Sequence, residues 1–454
     1  MTPVAPTRQL ATFVSNLTYD ALSSDVRERV KDIVLDAAAS ALAGRDASEN
    51  AKVVALARSL GSSTESTVIG GERLSPAGAT LVNGYLITAV TVCDIHRPTS
   101  CHVTPEVVAP ALAIAEERGS DGKTLLAAVA AGLEVTTRVG LGLDPTAFRA
   151  RGWHAPGVTG PFGGAAAAGR LLGLSADEQC FAFGIAASQS AGTYAQLGTP
   201  TIKFQQSRGA LSGLMSARLA SVGFTAAEEI LTHPDGGLFS AYADGGSPDV
   251  LLRDLGADWE LLRISLRAWP VAVHLQPVVT GLLDLIKRTD IRPDAIAEVR
   301  LGISPTAYRM HGTVNYEDRF RARLSAPYVT GVVLFDRACW LDQFTPARVQ
   351  DPALDQFIRE RVHVSPDPAL VDGTTSIELV TTGGAEHVET VAVAKGEPSN
   401  PLSRDDIIAK FRTAAAPHLS PDAIERMITM TTNLESVPNT QDLVGSLRRS
   451  VSES

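Results

Sequence analysis

The sequence predicts a mainly α protein with an α+β part: a large helical domain, a smaller α+β domain inserted after it, and a return to helices. Apolar residues recur at three- and four-residue spacing over most of the first two-thirds of the 454 residues, which is the period of helices with one buried face. Alternating, strand-like residues first appear after Trp269, and helical spacing returns after Pro398. The predicted domain boundaries are 1–267, 268–396 and 397–454.

The N-terminal domain reads as a series of helices. Ser24 is the predicted cap of a first helix that starts at Asp25 and ends at Gly44. Several later patterns are rich in Ala and Gly and have few charges, which is typical of helices buried on most sides. These patterns cover Ala77–Val90, Pro105–Glu117, Gly122–Leu141, Gly163–Leu172, Ala176–Ser188, Ser207–Val222 and Ala226–Leu231.

The inserted domain is marked by alternating apolar and polar residues. Ala297–Ile303 is a predicted strand, and Thr374–Thr382 and His387–Val393 form a predicted hairpin around a Gly-Gly turn. Ser325–Arg337, between them, has helical spacing. The closing segment has one predicted helix, Asp405–Ala415, capped by Ser403. The polar end Val444–Ser454 is predicted to fray.

The composition argues against nucleic acid and membrane partners. The net charge of −10 comes with no basic stripe, so we expect no nucleic acid partner. Four cysteines are too few for a disulfide framework. The start resembles no signal peptide, and apolar runs are broken before the ~20 residues that a membrane span needs. We therefore predict a cytoplasmic protein without a membrane partner.

The segment Cys93–His102 holds the densest set of reactive side chains. It contains the carboxylate Asp94, the imidazoles His96 and His102, the cation Arg97 and two thiols. Three interpretations compete: a metal site, an acid–base loop, or a solvated polar loop. The spacing matches no zinc pattern, whereas His and Asp are the usual groups for proton transfer.

A glycine-rich stretch from Gly152 to Gly164 leads into an Ala-rich helix and contains His154. It lacks the lysine and spacing of a phosphate loop. Tight packing of a helix start is the simpler interpretation, and the free N–H groups there suit a substrate carboxylate. Lys203, His274 and Tyr308 lie near predicted element ends, where each by itself is typical of a surface lysine or a packed core residue.

Several separate stretches, in this order, together resemble the MmgE/PrpD family across nearly the whole chain. They are Asn83-Gly84 with Asp94–His102, Gly152-Trp153-His154 through Gly160-Pro161-Phe162-Gly163, Lys203 with the helix Gly209–Ala220, Ala322–Tyr328, and Lys395–Ser403 with Lys410-Phe411. The family includes 2-methylcitrate dehydratases, cis-aconitate decarboxylases and an iminodisuccinate epimerase. The resemblance implies a helical domain with an α+β lid domain, a homodimer, a small polycarboxylate substrate, and a site without metal or other cofactor.

By the same resemblance, His102, His154, Lys203 and Tyr308 match family pocket positions, and Asp94 joins them. The remaining predicted site residues are His274 as a catalytic group and His96, Arg97 and Gln206 as substrate contacts. The sequence also departs from the family. The acid of the decarboxylases aligns to Val92, their histidine after Trp269-Pro270 aligns to Ala272, and Gln206 stands where histidine is frequent.

The implied chemistry is proton movement at a carbon next to a carboxylate. His102 and His154 are the predicted base and acid, and Lys203 would neutralise the developing enolate. Asp94 would orient His96 or His102. A lyase acting on a citrate- or aconitate-like acid, by dehydration or decarboxylation, is the favoured hypothesis. An epimerase or racemase of a dicarboxylic imino or amino acid, and an inactive carboxylate-binding member, are the alternatives.

Overall fold

The computed structural model describes residues 5–313 and 315–448. Its contacts divide the chain into two units. The first contains the described residues up to Ile264 and those from Ser403 onward, and the second is Ser265–Leu402. The first unit is therefore built from two separated stretches of chain, and the second is continuous.

Helices, numbered along the chain, make up most of the first unit. Its helices are α1 Pro6–Asn16, α2 Ser24–Ala43, α3 Asn50–Arg58, α4 Pro76–Ala89, α5 Thr104–Arg118, α6 Gly122–Gly142, α7 Pro145–Ala150, α8 Ala155–Leu172, α9 Ala176–Ala187, α10 Thr201–Ser221, α11 Leu238–Tyr242, α12 Pro248–Leu252, and after the second unit α19 Arg404–Ala415, α20 Pro421–Thr432 and α21 Thr440–Gly445. Two-residue strands β1 Ser66–Thr67 and β2 Arg73–Leu74 pair with each other, and β3 is Ile95–His96.

Helix α8 packs against α5, α6 and α10, and small residues allow this close packing. A Cβ added to Gly213 of α10 would lie 2.6 Å from the Gly164 Cα of α8, and one added to Gly163 would lie 1.8 Å from Thr136 Oγ1 of α6. The expectation that the Ala- and Gly-rich helices are buried is confirmed.

Helix α6 is long and apolar enough to cross a membrane by length and composition, and 94% of its most apolar stretch is buried inside the protein. Its interior carries an ion pair, with Arg138 Nε 2.5 Å from Glu134 Oε1. Such burial is typical of the central helix of a globular core.

Several predicted boundaries are wrong. Ser23, not Ser24, caps α2, because its Oγ accepts from the Val26 N–H. Helix α8 begins at Ala155 rather than Gly163, with Pro in its first turn, where the fixed φ of proline favours a helix start. Helix α10 begins at Thr201, so Lys203 lies inside it and not before it.

Two further predictions fail near chain segments held by tertiary contacts. Ala226–Leu231 is not helical, because the Glu229 carboxylate instead holds the Thr7 N–H and hydroxyl. The predicted fraying of Val444–Ser454 is wrong for its first residues, since Val444 and Leu447 are buried. Residues 449–454 of that segment lie outside the described residues.

The second unit is built around a four-stranded sheet of order β6-β5-β7-β8. The strands are β5 Ile296–Ile303, β6 Val362–Pro366, β7 Thr375–Thr381 and β8 Glu386–Val391, after the short β4 Ile264–Ser265 at the junction; the helices are α13 Gln276–Thr289, α14 Pro305–Ala307, α15 Arg319–Ala322, α16 Ala326–Asp336, α17 Pro346–Val349 and α18 Pro352–Arg361. Strand β5 is parallel to β6 and antiparallel to β7. The predicted strand, hairpin and helix are confirmed within one or two residues.

Candidate active site

The loop between α4 and α5 folds back on itself as a small hairpin. The His96 N–H donates to the Cys101 carbonyl at 2.8 Å, and the Cys101 N–H donates to the His96 carbonyl at 3.2 Å. Ser100 makes the reversal in the left-handed region, with φ of 52°. The hairpin brings Asp94, before it, next to His102, after it.

The Asp94 carboxylate is fully buried at the start of α5. One oxygen accepts from the Val103 N–H at 2.7 Å, and the other accepts from the Thr104 N–H at 3.2 Å and its hydroxyl at 2.5 Å. These bonds satisfy N–H groups that the helix itself leaves open. Burial raises the pKa of Asp94 to about 6, the Cys93 thiol adds to the rise, and His102 opposes it.

The ring of His102 is oriented by the main chain. Its Nδ1 lies 2.6 Å from the Asp94 carbonyl oxygen. Because a carbonyl only accepts, Nδ1 carries the proton, and neutral His102 has its lone pair on Nε2. We predicted orientation by the Asp94 side chain; the 2.6 Å bond comes from its backbone carbonyl, while the carboxylate holds the helix start.

His154 precedes α8 as its N-cap residue. Its N–H donates to the Gly192 carbonyl at 3.0 Å, which fixes the backbone. Its Nδ1 lies 2.7 Å from Gln205 Oε1, and Gln205 Nε2 donates to the Thr193 carbonyl at 3.1 Å. Since Nε2 of Gln205 already donates to the Thr193 carbonyl, the side-chain oxygen of Gln205 faces His154 and accepts from its Nδ1–H. Neutral His154 therefore also has its lone pair on Nε2.

Burial and nearby positive charges keep His154 neutral. Burial is the largest cause, and together with the positive charges of His102 and Lys203 it lowers the pKa of His154 to about 3. Only 5% of His154 is exposed. At physiological pH it is therefore an acceptor of protons or hydrogen bonds, while a proton donor must be sought elsewhere.

Lys203 is buried in the first turn of α10. The positive charges of Lys203 and of His102 both lower the pKa of His154, so each of these two side chains lies close enough to His154 to interact with it electrostatically. The structure thus brings together three of the predicted catalytic residues.

Neighbouring glutamines on α10 have different environments. The predicted contact Gln206 is buried, and its Oε1 has no hydrogen-bond partner among the described residues. The residue that bonds His154 is Gln205, which no sequence pattern had singled out. Consecutive helical residues point about 100° apart, so the sequence alone did not show which of the two faces His154.

His96 is fully buried, and both ring nitrogens are engaged. Nδ1 lies 2.9 Å from Thr99 Oγ1, and Nε2 lies 3.3 Å from Glu260 Oε2. Asp94 therefore does not orient His96, which was one of the two predicted alternatives; the histidine that contacts Asp94 is His102. The bonds of His96 tie the hairpin to Glu260, so they support a structural role. Arg97 is half-buried in the 3₁₀ turn Arg97–Thr99, and its substrate contact stays a prediction.

The two remaining predicted residues, His274 and Tyr308, lie in the second unit. His274 is half-buried in the turn Val273–Leu275, and its Nδ1 lies 3.2 Å from Nε2 of His311. Tyr308 starts a π-helical turn, Tyr308–Gly312, that also contains His311. No sequence motif drew attention to His311.

A further acid, Glu106, lies in the first turn of α5 and was not singled out. It is fully buried, and neither carboxyl oxygen has a hydrogen-bond partner in the described part of the chain. Burial raises its pKa well above the ordinary value, and the nearby charge of Asp94 adds to this. The sequence feature that could have identified Glu106 is its position as an acid within an otherwise apolar helical pattern.

The described part of the structure contains no candidate metal centre, at this loop or elsewhere. Among residues 5–313 and 315–448, no group of three or more His, Cys, Asp or Glu side chains is arranged to hold a metal ion. Cys93, Cys101, Cys180 and Cys339 are buried cysteines that take part in no disulfide.

Comparisons with known proteins cover nearly the whole chain. Residues 8–251 match the MmgE/PrpD N-terminal domain and residues 269–436 match the MmgE/PrpD C-terminal domain. A cis-aconitate decarboxylase from Aspergillus terreus is 27% identical over 439 residues, covering 90% of this chain and 89% of the relative. The Homo sapiens cis-aconitate decarboxylase is 26% identical over 449 residues, covering 95% and 92%. A cis-aconitate decarboxylase-like protein from Aspergillus oryzae is 27% identical over 468 residues, covering 96% of both chains. The chain therefore belongs to the MmgE/PrpD family.

Proposed function

We propose that this protein is a cofactor-independent lyase that decarboxylates cis-aconitate or a closely similar unsaturated tricarboxylic acid. The observation that carries the proposal is the cluster of half-buried His102 with buried His154 and Lys203, in which hydrogen-bond partners fix the proton positions of both imidazoles. The names of the relatives support the choice of decarboxylation over dehydration.

The reaction needs a cation and a proton donor. As the carbon–carbon bond to the departing carboxylate breaks, its electron pair moves through the neighbouring double bond, and charge builds on a remaining carboxylate. Lys203 would stabilise that charge. A proton must then reach carbon, and we assign its delivery to Nε2 of His102 in its charged form. His154, held neutral, would accept a hydrogen bond from the substrate or position it.

The other predicted site residues have supporting roles in the proposed reaction. Asp94 holds the start of α5, next to His102, through three hydrogen bonds. We propose His274 as a second proton-transfer group, and Tyr308, Arg97 and Gln206 as substrate contacts. We also propose a cytoplasmic homodimer, which light scattering of the purified protein would test.

Incubation of the protein with cis-aconitate in heavy water, followed by NMR, tests the reaction. The expected result is loss of carbon dioxide with one solvent deuterium on carbon in the product. His102→Asn should lower kcat by about 10²–10⁴-fold, the usual range for a positioned proton-transfer group. Lys203→Met should lower kcat by about 10²–10³-fold, the usual range for a group that stabilises developing charge. Lys123→Met, which removes an exposed lysine of α6, is the matched control and should retain full activity.

Other outcomes would replace the proposal. Deuterium uptake into a dicarboxylic imino acid without net conversion would indicate an epimerase. Conversion of citrate or 2-methylcitrate with loss of water would indicate a dehydratase. Thermal stabilisation by one acid with neither turnover nor exchange would indicate an inactive carboxylate-binding protein. Full turnover by both His102→Asn and Lys203→Met would show that the active site is elsewhere.

A further inference from the structure

The second unit contains a pair of neighbouring histidines, half-buried His274 and buried His311, of which only His274 enters the proposed function. His274 lies just before α13, and His311 lies in the π-helical turn after β5. The ring centroids are 5.3 Å apart with an interplanar angle of 40°. The separation of 3.2 Å between His274 Nδ1 and His311 Nε2 is that of a hydrogen bond.

The direction of this hydrogen bond follows from the next partner. His311 Nδ1 lies 2.9 Å from the Leu324 carbonyl oxygen, which can only accept, so Nδ1 of His311 carries a proton. A neutral His311 then has its lone pair on Nε2, facing His274. The hydrogen bond between the two rings therefore forms only when His274 donates from Nδ1–H. Nε2 of His274 then carries the lone pair when His274 is neutral, and the second proton when His274 is charged.

His311 is held in the neutral form that this direction requires. Only 4% of the residue is exposed. Burial and the nearby positive charge of His274 lower its pKa to about 4. At neutral pH its Nε2 therefore accepts and does not donate.

The backbones that carry the two rings are also fixed. The Ala272 N–H donates to the Arg323 carbonyl at 3.0 Å, and Gln276 Nε2 donates to the Trp269 carbonyl at 2.9 Å. Gly312 closes the π-helical turn, where a Cβ would lie 2.3 Å from Cδ2 of the Tyr308 ring. The two rings thus stand on segments whose positions do not depend on the hydrogen bond between them.

We propose that His311 is a positioning residue, which holds His274 as the Nδ1–H tautomer and so makes Nε2 its proton-transferring nitrogen. The inference rests on the proposed function in assigning His274 a part in the reaction. A neutral histidine acceptor orients the ring as a carboxylate does in a Ser-His-Asp triad. It lacks the negative charge that stabilises an imidazolium, so protonated His274 releases its proton more readily.

The test combines tautomer measurement with turnover. ¹⁵N NMR of histidine-labelled protein, with the His274 signals identified by their loss in His274→Asn, reports which nitrogen carries the proton. His311→Phe removes the acceptor and keeps a ring. His311→Gln places an amide oxygen near the position of Nε2. His363→Phe, which removes a half-exposed histidine of β6, is the matched control.

In the parent protein and His363→Phe we expect a protonated Nδ1 on neutral His274. His311→Phe should shift His274 towards the Nε2–H tautomer and lower kcat for cis-aconitate by about 10²-fold, within the range for proton-transfer groups. His311→Gln should restore both properties in part. Circular dichroism distinguishes unfolding from this effect, and the Gln variant keeps the test decisive if the Phe variant does not fold.

Failures of the inference and of the proposed function are separable. An Nε2–H tautomer in the parent protein, or an unchanged tautomer in His311→Phe, would overturn the positioning role whatever the substrate. A large loss of kcat in His274→Asn with none in His311→Phe would overturn it as well. If His274→Asn keeps full activity while His311→Phe still shifts the tautomer of His274, then His274 has no part in the reaction. His311 would then position His274 without any effect on catalysis. No turnover of cis-aconitate by the parent protein would count against the proposed function alone.

Discussion

At the scale of single residues, hydrogen-bond partners decide which nitrogen of each candidate histidine carries its proton. The Asp94 carbonyl fixes His102, and Gln205 fixes His154, each through Nδ1. Gly192 permits the second contact, because a Cβ there would lie 2.7 Å from Gln205 Oε1. Both rings consequently act through Nε2, although their sequence surroundings have nothing in common.

Gln205→Glu tests the link between this partner and the charge of His154. A carboxylate next to Nδ1–H stabilises the imidazolium, so the pKa of His154 should rise from about 3. Activity that needs neutral His154 should then fall at low pH and recover as the pH rises. The pKa is measured by NMR titration, with Gln196→Glu, in the turn Tyr194–Gln196 that precedes α10, as control. An unchanged pKa of His154 would contradict the assigned contact.

Glu106→Gln tests the buried acid. Because the pKa of Glu106 is raised in the folded protein, folding above the ordinary carboxyl pKa requires proton uptake. This acid therefore reduces the free energy of unfolding progressively as pH rises above about 4.5. Glutamine needs no proton, so the substitution should raise the Tm by about 2 °C or more at pH 8.

The pH dependence separates this effect from a simple change in packing. Near pH 4.5 the benefit of Glu106→Gln should be small, because the unfolded parent protein still binds the proton about half of the time and the loss of stability has only begun. Glu65→Gln, at an exposed position, should change the Tm little at either pH. A Glu106→Gln protein that is equally stabilised, or destabilised, at both pH values would show that the Glu106 proton is not taken up on folding.

At the scale of elements, glycines set how closely the central helices approach. Gly213→Ala gains helix propensity of about 1 kcal/mol, but its Cβ would meet the α8 backbone at Gly164 Cα, 2.6 Å away. Overpacking of this kind costs about 1–3 kcal/mol, and a backbone cannot give way as a side chain can. We therefore expect a lower free energy of unfolding in urea denaturation.

The matched control is Gly445→Ala, at the end of α21, where an added Cβ meets nothing within 4 Å. It should leave the free energy of unfolding unchanged or slightly raised. Equal stability of both alanine variants would mean that α8 and α10 are not in the close contact described.

At the scale of the whole molecule, the returning C-terminal chain completes the first unit. Lys410 of α19 donates to Asp36 Oδ1 at 2.6 Å and to the Val92 carbonyl at 2.8 Å. Phe411 beside it is fully buried. The residues around Val92 lead directly into Asp94, so a helix more than 300 residues away in sequence supports the loop of the candidate site.

Fragments of the chain should reflect this connectivity. Ser265–Leu402 contains its own core, including Val299, Leu301, Tyr328 and Ile377, and we expect it to fold alone with a cooperative thermal transition. A fragment ending at Ile264 lacks α19 to α21 and should aggregate or lack such a transition. Circular dichroism with thermal unfolding measures both. A stable, cooperative 1–264 fragment would contradict the structural role of the returning helices.

The sequence by itself determined the helical first part and the strands and hairpin of the second unit, and it singled out His102, His154 and Lys203 as candidate site residues. These follow from local periodicity, turn residues and ordered family motifs, which are properties of nearby positions. The tertiary structure decided which groups contact one another: the Asp94 carbonyl rather than its side chain at His102, Gln205 rather than Gln206 at His154, and His311 at His274. Those choices depend on helix phase and on hydrogen bonds between distant segments, and neither is encoded in local spacing.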